Sequence, residues 1–224
     1  MHALADIERV LELALLTGYL ADRKSVSVLL CSSTENGKTA LFSRFDGTPG
    51  VRWISDATGV GLTKAYLMGR RYEDIRHLIL PDLGVPLQRS RETANTFMGL
   101  LLGLSYEGMK EVQTFNVPLI LPRRVQFGIL AGITPALLSR RMKYWAGTGT
   151  LRRFLPLSYD YTPESCDGIR EAIERQDQAQ HTQILLPKFN GKVHVTLGAH
   201  LARRLRGAAE DMALALNLPA STIK

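Results

Sequence analysis

Cysteine is scarce in this sequence: Cys31 and Cys166 are the only two among 224 residues. They make neither a disulfide framework nor a zinc spacing. Cys31 ends an apolar run and reads as a small buried filler, so a reducing, cytoplasmic setting is expected. No stretch of about 18 uncharged apolar residues occurs, and no membrane span is expected. Asp6, Glu8, Arg9 and Glu12 interrupt the apolar amino terminus, which does not read as a signal peptide. His77, His181, His194 and His200 fall in no metal-ligand spacing, His2 is terminal, and Trp53 and Trp145 read as packing residues. Internal repeats and low-complexity tracts are missing too. The sequence stops at Lys224 without a clear ending, as a truncated or short form would.

What is present supports a globular chain. Hydrophobic residues make up 45%, enough for a buried core. The length suits one sizeable α/β domain, alone or with a small appendage. A net charge of +7 favours an anionic partner, DNA among the candidates. Basic doublets recur at Arg70-Arg71, Arg123-Arg124, Arg140-Arg141, Arg152-Arg153 and Arg203-Arg204. Converging on one face, they would track a nucleic-acid backbone; scattered, they are solvated charge.

Helical spacing runs over residues 3–19, and residues 25–31 read as a valine-rich, largely apolar strand. A Gly-Lys-Thr turn follows, then a helix over 38–45. Strands are expected at 51–55, 77–82, 124–133 and 154–161, with one or two short ones within 111–122. Helices are expected over 57–68, 90–104 and 135–145. This alternation argues an α/β fold with a mainly parallel sheet. The character changes near residues 161–164. A polar helix over 164–180, short strands at 184–186 and 192–195 and a basic helix over 199–216 are expected beyond it. Residues 1–162 and 163–224 are therefore read as two domains.

The chemistry concentrates in Ser32-Ser33-Thr34-Glu35-Asn36-Gly37-Lys38-Thr39. It carries the second half of G-x-x-x-x-G-K-[ST], with Ser32 in place of the first glycine. Such a loop turns backbone N–H groups onto phosphate oxygens. Gly37 allows close backbone approach, Lys38 supplies a mobile positive charge, and Thr39 offers a hydroxyl to Mg²⁺. Ser33, Thr34, Glu35, Asn36, Gly37, Lys38, Thr39 and Ala40 are the candidate nucleotide-binding residues. The bland reading is a polar loop with an ordinary surface lysine. Asp82, after the run Leu78-Ile79-Leu80-Pro81, is the candidate carboxylate for the Mg²⁺ shell; the alternative is a cap on the turn after Pro81.

Up to about residue 161 the sequence resembles the P-loop NTPases and, within them, the AAA+ ATPases. Ser32 to Thr39 resembles Walker A, Leu78 to Asp82 resembles Walker B, and Gly128 to Pro135 resembles the strand that ends in the sensor-1 residue, here Thr134. The segment with Arg140, Arg141, Arg152 and Arg153 resembles the one that holds an arginine finger. The resemblance implies a parallel sheet of order 5-1-4-3-2 sandwiched by helices, with a small helical lid or winged-helix-like appendage after residue 163. It also implies ATP with Mg²⁺ as ligand, ADP as product, and assembly into a homo-oligomer. In those roles Lys38 and Asp82 act on phosphate and metal, with Thr39 as the second metal residue. Thr134 senses the γ-phosphate, and Arg152 or Arg153 acts on a neighbour's nucleotide. Thr134 also suits a helix cap before Pro135, and Arg152-Arg153 also suits a surface pair. One departure stands out: Leu83 follows Asp82, where these enzymes carry the glutamate that polarises water. Glu35 and Glu92 are the substitutes on offer. The expected function is an ATPase coupled to nucleic-acid or protein remodelling; the alternative is a non-hydrolysing, nucleotide-dependent DNA-binding or scaffold protein.

Overall fold

The structure, a computed structural model, describes residues 2–21, 23–34, 36–68, 71–114, 117–174, 183–184, 186–187, 189–196 and 198–215. Helix α1 (His2–Leu16) leads to strand β1 (Val28–Cys31), the phosphate-loop candidate and helix α2 (Lys38–Ser43). Strand β2 (Val51–Trp53), helix α3 (Gly59–Leu62), strand β3 (His77–Leu80), and helices α4 (Gly84–Leu87) and α5 (Arg91–Leu102) follow. An antiparallel hairpin, β4 (Met109–Thr114) and β5 (Val117–Val125), precedes strand β6 (Gly128–Ile133), helix α6 (Pro135–Gly147) and strand β7 (Leu155–Ser158). Helix α7 (Pro163–Glu174) and, later, helix α8 (Ala199–Ala215) complete the described elements.

Five strands form one parallel sheet in the order β2-β3-β6-β1-β7. Counting sheet strands alone and reading from β7, this is the expected 5-1-4-3-2. The α/β class with a central parallel sheet is therefore present.

Side-chain alternation along the strands assigns the two faces. Val28 and Leu30 of β1, Ile79 of β3 and Leu130 of β6 point to one face and pack with Leu11, Ala14 and Leu15 of α1 and Leu41 and Phe42 of α2. The three α1 residues sit at helical spacing on one stripe. Leu29, Leu78, Leu80, Ile129, Ala131 and Ile133 point to the other face, against Ala94, Phe97, Leu100 and Leu101 of α5. A sheet buried on both faces explains why β3 and β6 are apolar at nearly every position.

One close approach fixes the register of β3 against β6. His77 is fully buried and pairs with Gly128. A β-carbon on Gly128 would stand 2.1 Å from the His77 Nε2 atom, so only glycine fits. The imidazole Nε2 lies 3.3 Å from the Val26 carbonyl.

Several expected boundaries move. The strand expected over 124–133 divides: Val125 pairs with Met109 in the hairpin, and β6 starts only at Gly128. Phe127 marks the break, its N–H donating to the Leu104 carbonyl instead of a strand neighbour. The helix expected over 57–68 is a short α-helix capped by Thr58, whose hydroxyl accepts from Gly61 N–H at 3.0 Å, followed by a wider π-type turn over Thr63–Met68. Gly59 and Gly61 leave that first turn with little intrinsic helical preference. The strands expected at 184–186 and 192–195 are not seen among the described residues. Ile184 donates its N–H to the Arg44 carbonyl, and Leu186 is buried with the α1 side of the core; Val193 makes a single isolated bridge.

The chain divides into two compact units, Met1–Lys192 and Val193–Lys224. The second contains α8, on which Leu201, Leu205 and the basic residues Arg203, Arg204 and Arg206 are exposed. Among the described residues no helix is long and apolar enough to cross a membrane.

Candidate functional site

Three neighbouring strands end on one edge of the sheet. Since β3, β6 and β1 are adjacent and parallel, their carboxyl ends bring Asp82, Thr134 and the loop 32–39 to that edge. Ligands of open α/β sheets bind at such carboxyl ends.

The loop begins at Ser32, 1% exposed, whose N–H donates to the Ile133 carbonyl at 3.2 Å, tying β1 to the end of β6. Lys38 then folds back over the loop. Its Nζ donates to the Ser32 carbonyl at 2.6 Å and the Ser33 carbonyl at 2.7 Å, and lies 3.3 Å from Ser32 Oγ. The side chain thus closes the loop into a ring, with its charge at the mouth. Ser32, the departure from the glycine pattern, uses its side chain as an acceptor for that charge.

Gly37 makes the ring possible. Its φ of 68° is left-handed, a conformation that costs a residue with a β-carbon. It sits directly before α2, and the Leu41 N–H donates to its carbonyl at 2.9 Å. Thr39 is exposed in the first turn of α2, and Ala40 is half-buried behind it. With six residues, α2 is shorter than the helix expected over 38–45.

The electrostatics converge on Lys38. Burial lowers its pKa below the ordinary lysine value, and the charges of Asp82, Cys31 and Asp160 oppose that shift. Asp82 is exposed, and its Oδ1 accepts from Gly84 N–H at 2.7 Å. The turn-capping role therefore holds for one oxygen and leaves the other to the site. Leu83 is 1% exposed and donates its N–H to the Gly132 carbonyl, so the position after Asp82 is a core position. Thr134 caps α6: its hydroxyl accepts from Leu137 N–H at 3.4 Å, with Pro135 in the first turn. The cap spends a lone pair and leaves the hydroxyl proton free to donate. Cys31 is half-buried at the end of β1, and burial pushes its thiol pKa up.

Residues after β7, none of them a candidate from the sequence, form the other wall. Asp160 Oδ1 accepts from Ser33 Oγ at 3.0 Å, Asn36 Nδ2 at 2.9 Å and Ser33 N–H at 3.4 Å. The Tyr159 hydroxyl donates to the Asn36 carbonyl at 2.5 Å. Tyr159 and Tyr161 meet edge to face, their ring centroids 6.0 Å apart. The signal available was Tyr159-Asp160-Tyr161 at the carboxyl end of the strand beside β1.

Arg152 and Arg153 are not brought to this loop. They precede β7 and so lie toward the opposite edge of the sheet. Arg153 is tied down: it pairs with Glu107 at 2.8 Å and donates to the Thr148 and Gly149 carbonyls. Arg152 is exposed. Arg141 donates to the Leu87 carbonyl at 3.1 Å. Glu92 is exposed in the first turn of α5, with α4 between it and Asp82. Glu35, Arg70 and His181 lie outside the described residues.

Among the described residues no group of three or more His, Cys, Asp or Glu comes together. A divalent ion here would take most of its ligands from phosphate and water, with Thr39 and Asp82 as the protein's contribution, as Mg²⁺ sites commonly do. No family model matches the chain, and no curated protein gives a significant match to it.

Proposed function

We propose that this chain is a P-loop protein of AAA+-like architecture that binds ATP with Mg²⁺ through residues 33–40. The observation that carries the reading is the ring closed by Lys38 on the Ser32 and Ser33 carbonyls beside left-handed Gly37. The strand order agrees with it, since the Asp82 strand lies two positions from the loop strand with the Thr134 strand between.

In this reading the Lys38 ammonium meets the β- and γ-phosphates, and the backbone of Asn36 to Ala40 lines the phosphates. Thr39 and Asp82 would hold Mg²⁺. The ion supplies neutralisation of phosphate charge. The free hydroxyl proton of Thr134 donates toward the terminal phosphate. Arg152 acts on the nucleotide of a neighbouring copy, because it lies at the far edge of its own sheet.

The same reading makes the protein an ATPase linked to nucleic-acid or protein remodelling, with DNA as the anionic partner and a homo-oligomer as the working form. Leu83 favours a second reading, a nucleotide-dependent switch or scaffold that binds DNA without hydrolysis. It places a buried leucine, not a carboxylate, beside Asp82. ATP turnover by wild type and Lys38→Ala, each with and without DNA, separates the two. Turnover that DNA speeds and Lys38→Ala abolishes supports the ATPase. Absence of turnover in every condition removes the enzyme claim.

A further inference from the structure

The amino-terminal edge of the sheet, opposite the phosphate loop, carries a cavity of about 350 Å³. It is built by the segments that enter three adjacent strands: Arg23 and Ser25 before β1, Ile75 and Arg76 before β3, and Gln126 and Phe127 before β6. Five cations line it, Arg23, Arg76, Arg123, Arg124 and Lys192, against one acid, Glu73.

Among the described residues none of the five forms an ion pair. The partners of Arg76, Lys192 and Arg124 among the described residues are uncharged. Arg76 and Lys192 both donate to the Gly18 carbonyl, at 3.3 and 2.9 Å, and Arg76 stacks on the Tyr19 ring. Arg124 donates to the Glu107 carbonyl at 3.0 Å. Burial lowers the Lys192 pKa, and repulsion from Arg76 and Arg123 lowers it further.

A second observation points to a ligand. Tyr72 lines the same cavity at 3% exposure, and its buried hydroxyl has no hydrogen-bond partner among the described residues. A buried hydroxyl left unpaired is costly, and so is a cluster of like charge. One group answers both. A phosphate brings up to two negative charges and several acceptor oxygens, which the guanidinium fork matches geometrically.

We propose that this cavity is a second anion site, distinct from the P-loop, that binds a phosphate group through Arg123, Lys192, Arg76 and the Tyr72 hydroxyl. Two sources share that chemistry: free phosphate and the phosphodiester of a nucleic-acid strand. The doublet Arg123-Arg124 acquires a role here that Arg152-Arg153, with Arg153 paired to Glu107, does not share.

The probe is inorganic phosphate at constant ionic strength, read as a rise in Tm in wild type and in Lys38→Ala, which disables the P-loop. The expected rise is about 3 °C with phosphate at roughly ten times its Kd. In the Lys38→Ala background it should be lost on adding Arg123→Ala/Lys192→Ala, whose residues are exposed, and reduced on adding Tyr72→Phe, which removes only the hydroxyl. A second arm measures a fluorescent oligonucleotide. Tenfold weaker binding in the double variant assigns the site to a nucleic-acid backbone; unchanged oligonucleotide binding with a lost phosphate response assigns it to free phosphate. Both support the site. A phosphate response absent from Lys38→Ala, or unchanged when the double variant is added to it, overturns it.

Discussion

A β-carbon added to Gly37 would come within 2.7 Å of the Tyr161 hydroxyl. Gly37 is thus constrained twice, by its left-handed backbone and by the wall that follows β7. Gly37→Ala is expected to cost about 1–2 kcal/mol from the backbone alone, and to weaken nucleotide binding. Tyr161→Phe in the same chain removes the contact and not the φ penalty. Urea unfolding of the single and double variants should therefore show only partial recovery. Full recovery would mean that the contact alone constrains the glycine.

Asp160 holds the loop 32–39 with a negative charge. It accepts from Ser33 and Asn36 at the place where an anionic ligand would arrive. Asp160→Asn keeps an acceptor oxygen and removes the charge. Nucleotide affinity is expected to rise about fivefold, the size of one like-charge interaction relieved near a protein surface. Titration of a fluorescent ATP analogue reads it. A weaker affinity would show that the charge is needed to shape the loop.

His77 makes stability fall in acid. Its pKa is lowered from 6.5 to about 4, first by burial, with the Lys192 and Arg76 charges adding to the shift. Between those values the unfolded chain binds a proton that the folded chain does not, so stability rises with pH across that window and falls on acidification. Going from pH 7 to pH 4.5 should cost roughly 2 kcal/mol from this group. Urea unfolding at both pH values measures the total. In His77→Gln, which has no titrating ring, the same acid step should shrink by that amount, and an unchanged step would remove His77 as its source.

Arg152 and Arg153 should separate by function. Arg153 holds Glu107 and two carbonyls of the turn after α6, so Arg153→Ala is expected to lower stability by about 1 kcal/mol. Arg152→Ala should leave stability within about 0.5 kcal/mol of wild type. If it serves a neighbour's nucleotide, it lowers turnover all the same. Mixing Arg152→Ala with Lys38→Ala subunits tests that, because each copy then lacks a different part.

Much of the sheet was legible because the strands that carry it are short, apolar and punctuated. Leu78-Ile79-Leu80-Pro81 reads as a short buried strand with a stop, and the Gly-Lys-Thr turn follows the end of β1 after five intervening residues. The hairpin was harder. From Val125 to Ile133 the only polar side chain is Gln126, so the run reads as one strand, and only the pairing of Val125 with Met109 divides it. The placement of Lys38, Asp82 and Thr134 at one edge of the sheet was legible from local pattern and strand order. Tyr159, Asp160 and Tyr161 were not, because their partners lie more than 120 residues away in sequence, at Ser33 and Asn36. The cation cavity was hidden for the same reason: Arg23, Arg76, Arg123 and Lys192 meet only once three strands are side by side.

The most direct measurement is the affinity of Mg²⁺-ATP for wild type and for Lys38→Ala, by calorimetry. Lys38 holds the mouth of the ring, so wild type should bind in the micromolar range and the variant at least tenfold more weakly, a loss of about 1.4 kcal/mol or more. Equal affinity, or no binding to wild type, would contradict the assignment of residues 33–40 as a nucleotide site.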